Sequence, residues 1–187
     1  MTRQEAKVYI DNHLENNNLR KHCYAVGFVM EALAERLGGN ADDWYIAGIL
    51  HDADFEKTKE APKEHAKVAV EMLREEGLVS EEILAAILDH NYENLELPEP
   101  KTPMGWSLFC CDHLTGFIVA VALVRPERTL AAVTLESLMK KWNQSAFAAG
   151  TNRNHISMCE EKLGIPLSEF ITISLTAMQT HHTDLGL

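Results

Sequence analysis

Helical periodicity is the feature that most restricts how this chain can fold. Apolar side chains recur three or four residues apart along almost its whole length, and the alternation typical of a half-buried strand is absent. Glycines such as Gly38, Gly39 and Gly77 interrupt the pattern at points where helices end. The pattern therefore predicts an all-α fold, with helices at residues 3–15, 19–37, 41–52, 62–76, 80–92, 105–124, 135–142, 153–163 and 167–180.

The segments between these helices are short. Residues 95–103 are rich in proline and are expected to form a loop, and the polar residues 55–61 are expected to form a loop or a short turn. Residues 181–184 look like a frayed end. Because no repeat or low-complexity region divides the chain, we expect residues 1–187 to form a single domain.

The charge of the chain limits the kind of ligand that it binds. The formal net charge is -11 at pH 7. A nucleic-acid scaffold normally carries a basic face, so this balance argues against such a role. A small anionic substrate is not excluded, since a metal ion supplies positive charge locally.

Cysteine usage and hydropathy indicate a cytoplasmic protein. The four cysteines form no C-x-x-C pair and are predicted to be reduced, and the polar N-terminus predicts no signal peptide. The most apolar stretch, residues 106–124, contains Asp112 and His113, and its uninterrupted part, residues 114–124, is too short to span a bilayer. We therefore expect a buried core helix and no membrane partner; the oligomeric state stays open.

One apolar run ends abruptly in a histidine followed by an aspartate, His51 and Asp52. Trp44, Ala47 and Gly48 share a helix face with His51, so the imidazole is expected to point into the core. Without partners, each polar group would cost several kcal/mol on desolvation. A metal ion would satisfy both groups, but the dipeptide is too common by chance to indicate a site alone.

Four other predicted helices each place one potential metal ligand on an inward-facing stripe. They contribute His22, His65, His90 and Asp112. A single buried histidine is more simply explained by a bond to a carbonyl group. Five such positions, mixing imidazole with carboxylate, favour a divalent metal site for Mn, Fe, Co, Ni, Zn or Mg.

The order of these side chains resembles a known family. It is similar to the H…HD…D signature of the HD superfamily of metal-dependent phosphohydrolases, carried here by His22, His51, Asp52 and Asp112. His65 and His90 resemble the two extra histidines of the two-metal branch, which includes HD-GYP cyclic-dinucleotide phosphodiesterases and diadenosine-tetraphosphate hydrolases. The resemblance covers residues 19–124, with the helices of residues 127–182 expected to pack on that core.

The chain also departs from the family pattern. Residues 53–55 are Ala-Asp-Phe, where Ile-Gly-Lys is common. Asn91 stands where the HD-GYP proteins have another histidine, and the GYP motif is absent, which argues against cyclic-di-GMP as substrate.

The resemblance implies an HD-domain-like helical bundle with one or two divalent ions per chain. One ion would be held by His22, His51, Asp52 and Asp112, and a second by Asp52, His65 and His90. The implied activity is hydrolysis of a phosphomonoester or phosphodiester, with a nucleotide as the expected small substrate. A metal-activated hydroxide would attack phosphorus, oriented by Asp52 or Asp112. Alternatively, His65 and His90 line a one-metal pocket and hydrogen-bond the phosphate or its water.

Cationic side chains are expected near an anionic substrate. Lys57 follows the HD pair by five residues and is a candidate for both catalysis and substrate binding, while Lys140 and Arg153 are candidates for substrate binding. For each, the alternative is a solvated surface charge.

Several further polar residues have weaker sequence context. His113 is expected to support the ligands or to pack, and Asp54 is either a turn former or the partner of a metal-binding histidine. The remaining histidines are expected to be plain surface groups: His13, His155, His181 and His182.

Two other functional classes stay open. Some HD-fold proteins carry a di-iron centre that activates dioxygen, so an oxygenase is one alternative. A non-catalytic, metal-stabilised binding domain is the other, although the full ligand set weighs against it.

Overall fold

All regular secondary structure in the protein is helical. The computed structural model describes residues 1–187 and contains no strand, so the all-α prediction is confirmed. The α-helices are α1 (Arg3–His13), α2 (Asn17–Leu37), α3 (Ala41–Leu50), α4 (Phe55–Thr58), α5 (Lys67–Glu75), α6 (Glu81–Asp89), α7 (Pro103–Leu123), α8 (Leu135–Trp142), α9 (Arg153–Leu163), α10 (Leu167–Thr180) and α11 (His182–Leu185), with a 3-10 helix at Leu130–Ala132.

Local sequence signals determine several helix ends. The Ser80 side chain caps α6 by accepting a hydrogen bond from the Ile83 amide, as the sequence predicts. The Asn40 side chain caps α3 in the same way. At the end of α2, Gly38 adopts a φ of 75°, a left-handed conformation that glycine tolerates best. These signals explain why the predicted ends at Gly38 and Ser80 agree with the structure.

One predicted helix start is wrong. Pro62 does not begin α5; residues 62–66 form turns, and the helix starts at Lys67. The reason is Ala66, which has a φ of 70° and therefore cannot belong to a right-handed helix. The segment 55–61, expected to be a loop or a short turn, contains the single-turn helix α4.

The C-terminal segment is ordered by contacts with the N-terminal helices. The His181 ring stacks on Phe28 at a centroid distance of 3.8 Å. Lys7 forms an ion pair with Asp184 at 2.9 Å, and Leu185 is buried. The expected frayed end is thus wrong, because α11 closes against α1 and α2.

The backbones of α2 and α3 approach each other closely at two glycines. A Cβ atom added to Gly48 would lie 2.8 Å from the Cα atom of Gly27, well inside van der Waals contact. A Cβ atom added to Gly27 would in turn lie 2.8 Å from the side chain of Ile49. This glycine pair allows α3 to pack directly on α2.

Helix α7 forms the centre of the core. By length and hydropathy it could cross a membrane, but 67% of its apolar window is buried inside the protein, as in the core helix of a soluble protein. It contacts α2, α6, α9 and α10, so that the C-terminal helices pack on the same hydrophobic core as the N-terminal ones.

The glycine contact gives the first testable prediction. Gly48→Ala should lower the free energy of unfolding by about 1–3 kcal/mol, because the new methyl group overpacks a backbone–backbone contact. Chemical denaturation of the purified chain measures this change.

Gly116 provides a matched control, since it lies in α7 with nothing within 4 Å of its Cβ position. Gly116→Ala should be neutral or stabilising by up to about 1 kcal/mol. Equal effects of the two substitutions would contradict a specific role for the α2–α3 contact.

Candidate metal centre

The structure brings all six predicted metal ligands together. They come from separate elements, mostly from helix ends: one from α2, two adjacent residues from the end of α3, one from the turn before α5, one from the end of α6 and one from α7. In chain order they are His22, His51, Asp52, His65, His90 and Asp112.

Four of the ligands form an inner group. The Nε2 atom of His22 lies 3.0 Å from Oδ1 of Asp112 and 3.6 Å from Oδ2 of Asp52. The Nε2 atom of His51 lies 3.7 Å and 3.5 Å from the same two carboxylates. Atoms held about 2.1 Å from one ion would be separated by about 3.0 Å at a right angle and about 3.4 Å in a tetrahedron. The measured separations fit one shared cation.

Two more histidines, His65 and His90, approach Oδ1 of Asp52. The Nε2 atoms of His65 and His90 lie 3.2 Å and 3.8 Å from Oδ1 of Asp52, and only 3.0 Å from each other. Two imidazole lone pairs repel at that distance unless a proton or a cation lies between them. Asp52 therefore joins both groups of histidines, with Oδ2 facing His22 and Oδ1 facing the others.

Helix-end carbonyls fix the orientation of two histidines. Nδ1 of His51 donates to the carbonyl of Gly48 at 2.8 Å, and Nδ1 of His90 donates to that of Ile87 at 2.5 Å. Carbonyls in the last turn of a helix lack a backbone donor, so they are free to accept these bonds. Because Nδ1 carries the proton in the neutral ring, Nε2 presents its lone pair to the centre.

The other two histidines are oriented by side chains. Nδ1 of His65 donates to Oδ1 of Asp54 at 2.8 Å, while Oδ2 of Asp54 accepts from the Ala69 amide at 3.1 Å. Nδ1 of His22 lies 3.2 Å from the Thr115 hydroxyl, which itself donates to a carbonyl. All four imidazoles thus direct Nε2 inward, and Asp54 is the hydrogen-bond partner of His65, one of the predicted ligands.

An orphaned buried atom tests whether the residues fit a metal ion. His51 is fully buried, and its Nε2 atom has no hydrogen-bond partner in the protein. Leaving such a group unsatisfied is costly, whereas coordination to a cation would satisfy it. The residues present therefore fit a divalent ion.

Sequence comparison agrees with this geometry. The HD domain family model matches residues 19–115, about half of the chain. The chain belongs to the HD domain family. Membership of this family implies a metal-dependent phosphohydrolase, and the matched residues contain all six side chains of the cluster.

Curated relatives show a more distant similarity. Ribonuclease Y of Thermotoga petrophila and Ribonuclease Y of Thermotoga maritima are each 30% identical to this chain over 99 residues. The match covers 53% of this chain but only 18% of the length of each relative. The similarity therefore concerns only a small part of each relative.

The clustered side chains stabilise one another in their charged forms. Burial alone would lower the pKa of His51, but the carboxylates of Asp52 and Asp112 outweigh it and raise that pKa to about 9. Burial also opposes ionisation of both aspartates, yet their pKa values are lowered because the neighbouring histidines stabilise the carboxylates. Both carboxylates are therefore ionised at neutral pH.

His65 and His90, whose Nε2 atoms face each other, differ in protonation. Burial opposes protonation of His65, but hydrogen bonds to Asp52 and Asp54 raise its pKa to about 10. Burial and the charges on His51 and His65 lower the pKa of His90 to about 4. In the metal-free protein, His65 is thus the charged member and His90 the neutral one.

The turn that carries His65 is held in place by its neighbours. Ala66 adopts its positive φ immediately after His65, at a cost of the order of 1 kcal/mol or more. The amide nitrogen of Asn91 donates to the carbonyls of Pro62 and His65 at 2.9 Å and 3.0 Å. Asn91 therefore fixes this turn through two hydrogen bonds.

A cavity of about 350 Å³ opens onto the ligands. Its wall contains five histidines and three acidic residues, but no lysine or arginine. Beyond the ligands themselves, it is lined by Leu19, Phe55, Asn91, Glu93, Asn94, Phe109, His113 and His155.

Sequence reasoning missed the contribution of helix α9 to this cavity. His155 was expected to be a surface group, but its Nε2 atom contacts Oε2 of Glu93 at 3.1 Å and its ring packs against Phe109 at 4.4 Å. His113 lies beside it, with ring centroids 5.3 Å apart. No local motif marks His155, because its position depends on how α9 packs on α7.

The structure does not bring Arg153 to the cavity. Its guanidinium group donates to the carbonyls of Trp142, Gln144 and Phe147 at 2.9, 3.2 and 2.7 Å and lies over the ring of Phe117. These bonds fasten the loop after α8. Arg153 therefore stabilises this loop, and the structure gives no support to the substrate contact expected from the sequence.

Lys57 and Lys140 also lie outside the cavity wall. Nζ of Lys57 is 3.8 Å from the sulfur of Met72 at the surface, and Lys140 lines a separate cavity beyond the end of α7. Their expected phosphate contacts gain no support from this geometry, because neither side chain borders the space beside the ligands.

Metal binding to this centre should displace protons. Because the pKa is about 9 for His51 and about 10 for His65, both are protonated near neutral pH when no ion is bound. The apparent affinity for Zn²⁺ should therefore keep rising from about pH 7.5 to 8.5, by up to about tenfold per pH unit for each displaced proton. Competition with a calibrated chelator measures it.

Ordinary imidazoles, with a pKa of about 6.5, would be almost fully deprotonated over that range. An affinity that stays constant above pH 7.5 would contradict the elevated pKa values. Release of protons into weakly buffered solution provides an independent check.

Proposed function

We propose that this HD domain hydrolyses the phosphate ester of a small molecule, with a nucleoside monophosphate as the expected substrate. The observation that supports this most directly is the shared carboxylate of Asp52, which lies between two groups of inward-directed imidazoles. The four cysteines are all free and buried, which fits a reducing compartment, so we place the reaction in the cytoplasm.

We assign two divalent ions to the site. His22, His51, Asp52 and Asp112 would hold the first, and Asp52, His65 and His90 the second, with mixed nitrogen and oxygen ligands that suit Mn, Fe, Co, Ni, Zn or Mg. Such ions neutralise phosphate charge and lower the pKa of a coordinated water.

The protein's own residues would supply position and charge. Asp52 and Asp112 stay ionised because neighbouring histidines lower their pKa values, so both remain available as ligands and as hydrogen-bond acceptors. Asp54 and Asn91 hold the turn of His65. A fixed arrangement of this kind lowers the entropic cost of orienting a substrate.

The cavity wall suggests a substrate of limited size and charge. A volume of about 350 Å³ lies near the lower end for ligand pockets. Because no lysine or arginine lines the cavity, additional phosphates beyond the one at the ions would lack cationic partners. We therefore favour a monophosphate over a polyphosphate.

The leaving group would contact the wall opposite the ions. Glu93, Asn94, His113 and His155 offer hydrogen-bonding groups there, whereas Phe109 offers an apolar ring. This mixture suits a sugar or nucleoside better than a purely apolar group. These residues take the substrate-binding role first expected of the distant cations.

RNA is a less suitable substrate for this chain. The similarity to Ribonuclease Y raises that possibility, but it covers only 18% of those relatives. Proteins that bind a nucleic-acid backbone normally present a basic surface, whereas this chain has a net charge of -11 and a cavity without lysine or arginine.

A metal and substrate panel tests the activity. We expect hydrolysis of p-nitrophenyl phosphate and nucleoside 5′-monophosphates with at least one of the divalent ions above, weaker hydrolysis of bis-p-nitrophenyl phosphate, and little with nucleoside triphosphates or a short RNA. Asp52→Ala should remove nearly all activity while circular dichroism shows unchanged helix content. His155→Phe should raise KM for the nucleotide about tenfold, if one hydrogen bond to the substrate is lost.

His182→Phe is the matched control, because His182 is exposed at the C-terminal end and should leave KM unchanged. A chain that binds metal stoichiometrically but hydrolyses no phosphate ester with any ion would contradict the proposed function. If both histidine substitutions changed KM equally, the substrate-binding role of His155 would be contradicted, but not the proposed hydrolysis.

Metal stoichiometry tests the second ion. Wild-type protein should bind about two ions per chain at saturation, and His65→Ala about one, because His65 is assigned only to the second ion. Mass spectrometry under native conditions or elemental analysis after dialysis measures the ratio. A wild type that never exceeds one ion would leave His65 and His90 as contacts to the phosphate or its water.

A further inference from the structure

A second polar cavity lies where the C-terminal ends of α7 and α8 meet. It has a volume of about 370 Å³ and shares no lining residue with the metal cavity. We call it the basic pocket; it is lined by Val121, Val124, Arg125, Pro126, Ser137, Lys140 and Lys141. Lys140, expected from the sequence to contact substrate phosphate, lies here instead.

The cations of the basic pocket have no acidic partners. No ion pair or hydrogen bond involves the side chain of Arg125 or Lys140, and Lys141 contacts only the neutral Gln144 and the ring of Phe147. Elsewhere in this acidic chain, six of the other fourteen lysines and arginines are paired with carboxylates. Those cations are Arg3, Lys7, Arg36, Lys63, Arg74 and Lys162.

One donor in the basic pocket is buried as well as unpaired. The Nε atom of Arg125 is inaccessible to solvent and has no hydrogen-bond partner in the protein. Buried donors in folded proteins normally have an acceptor, and an unsatisfied charged donor is especially unfavourable. The Arg125 guanidinium therefore has donor capacity that no acceptor within the chain uses.

Helix dipoles explain part of this arrangement but not all of it. Cations near helix C-termini interact favourably with the unsatisfied carbonyls there, and Arg125 follows α7 while Lys140 and Lys141 lie in the last turn of α8. The end of α7 accounts for Arg125, and the end of α8 for Lys140 and Lys141. This does not account for three cations around one cavity, where they repel one another.

We infer that the basic pocket binds the phosphate group of a small molecule, separately from the metal centre. Arginine and lysine are the usual phosphate partners, and three of them around one concave site would neutralise a multiply charged group. Val121, Val124 and Pro126 would contact an uncharged part of the ligand; Val124 is 58% exposed, which leaves this side open. This inference does not depend on the proposed hydrolysis.

The distance along α7 supports the separation of the two sites. Asp112 and Val121 are nine residues apart on this helix, which corresponds to about 14 Å at 1.5 Å per residue. A phosphate held by the basic pocket would therefore not reach the ligands of the metal centre.

Titration with inorganic pyrophosphate tests the inference. The full-length, isotope-labelled chain is titrated after removal of metal with a chelator, so that the metal centre cannot capture the anion, and again with Zn²⁺ bound. We expect amide shifts at residues 121–125 and 137–142 in both states. Shifts confined to the neighbourhood of Asp52 and Asp112 would overturn the inference.

Charge-neutralising variants identify the cations responsible. Arg125→Gln and Lys140→Gln should each weaken pyrophosphate binding about tenfold or more, as expected for loss of a charge-assisted contact. Lys101→Gln is the matched control and should leave binding unchanged. Lys101 is an exposed lysine without an ion-pair partner, and it lies just before the N-terminal end of α7, away from the basic pocket. Equal loss in all three variants would show a non-specific effect of net charge and overturn the inference.

A vesicle arm separates a soluble phosphate compound from a lipid headgroup. The chain should not sediment with vesicles of phosphatidylglycerol and phosphatidylcholine under conditions where it binds pyrophosphate. Binding to these vesicles without binding to pyrophosphate would overturn the assignment of a small soluble ligand.

Discussion

The backbone contact between α2 and α3 is the constraint on which the metal centre depends. Because Gly27 and Gly48 have no side chains, the two helices approach closely enough to bring the rings of His22 and His51 to a centroid distance of 5.2 Å. The two histidines lie at different positions along their helices, so a wider separation of the helix axes would separate their Nε2 atoms as well. Packing of the core and geometry of the site are therefore set by the same contact.

Helix ends supply both the ligands and the groups that orient them. His51 and His90 directly follow α3 and α6, where carbonyls of the last turn accept their Nδ1 protons. One bond thus satisfies a carbonyl that would otherwise lack a donor and determines which ring nitrogen faces the ion. His65 lies outside a regular helix and instead depends on Asp54 and on the turn clamped by Asn91, which explains why these two polar residues are buried.

Local patterns predicted most helices and the inward-facing positions of five of the six clustered side chains, because caps, glycine stops and apolar stripes act within a few turns of the chain. The assignment of all six residues as metal ligands came from the family resemblance. The start of α5 could not be predicted in this way. Pro62 is a good first-turn residue, but tertiary bonds to Asp54 and Asn91 hold the preceding turn in another conformation. His155 and Arg153 were misjudged for a related reason: their roles depend on how the C-terminal helices pack, which no short motif records.

The distribution of charge has a consequence for the order of binding. Without ions, the cavity presents the carboxylates of Asp52, Asp112 and Glu93, while no lysine or arginine offsets them. His51 and His65 are positively charged, since their pKa values are raised to about 9 and about 10, whereas His90 is neutral with a pKa of about 4. The three carboxylates outnumber these two charges. A phosphate group entering this cavity would meet like charges. The clustered histidines and aspartates would hold divalent ions, whose charge would offset these carboxylates, so we expect an anionic substrate to bind after metal loading rather than before it.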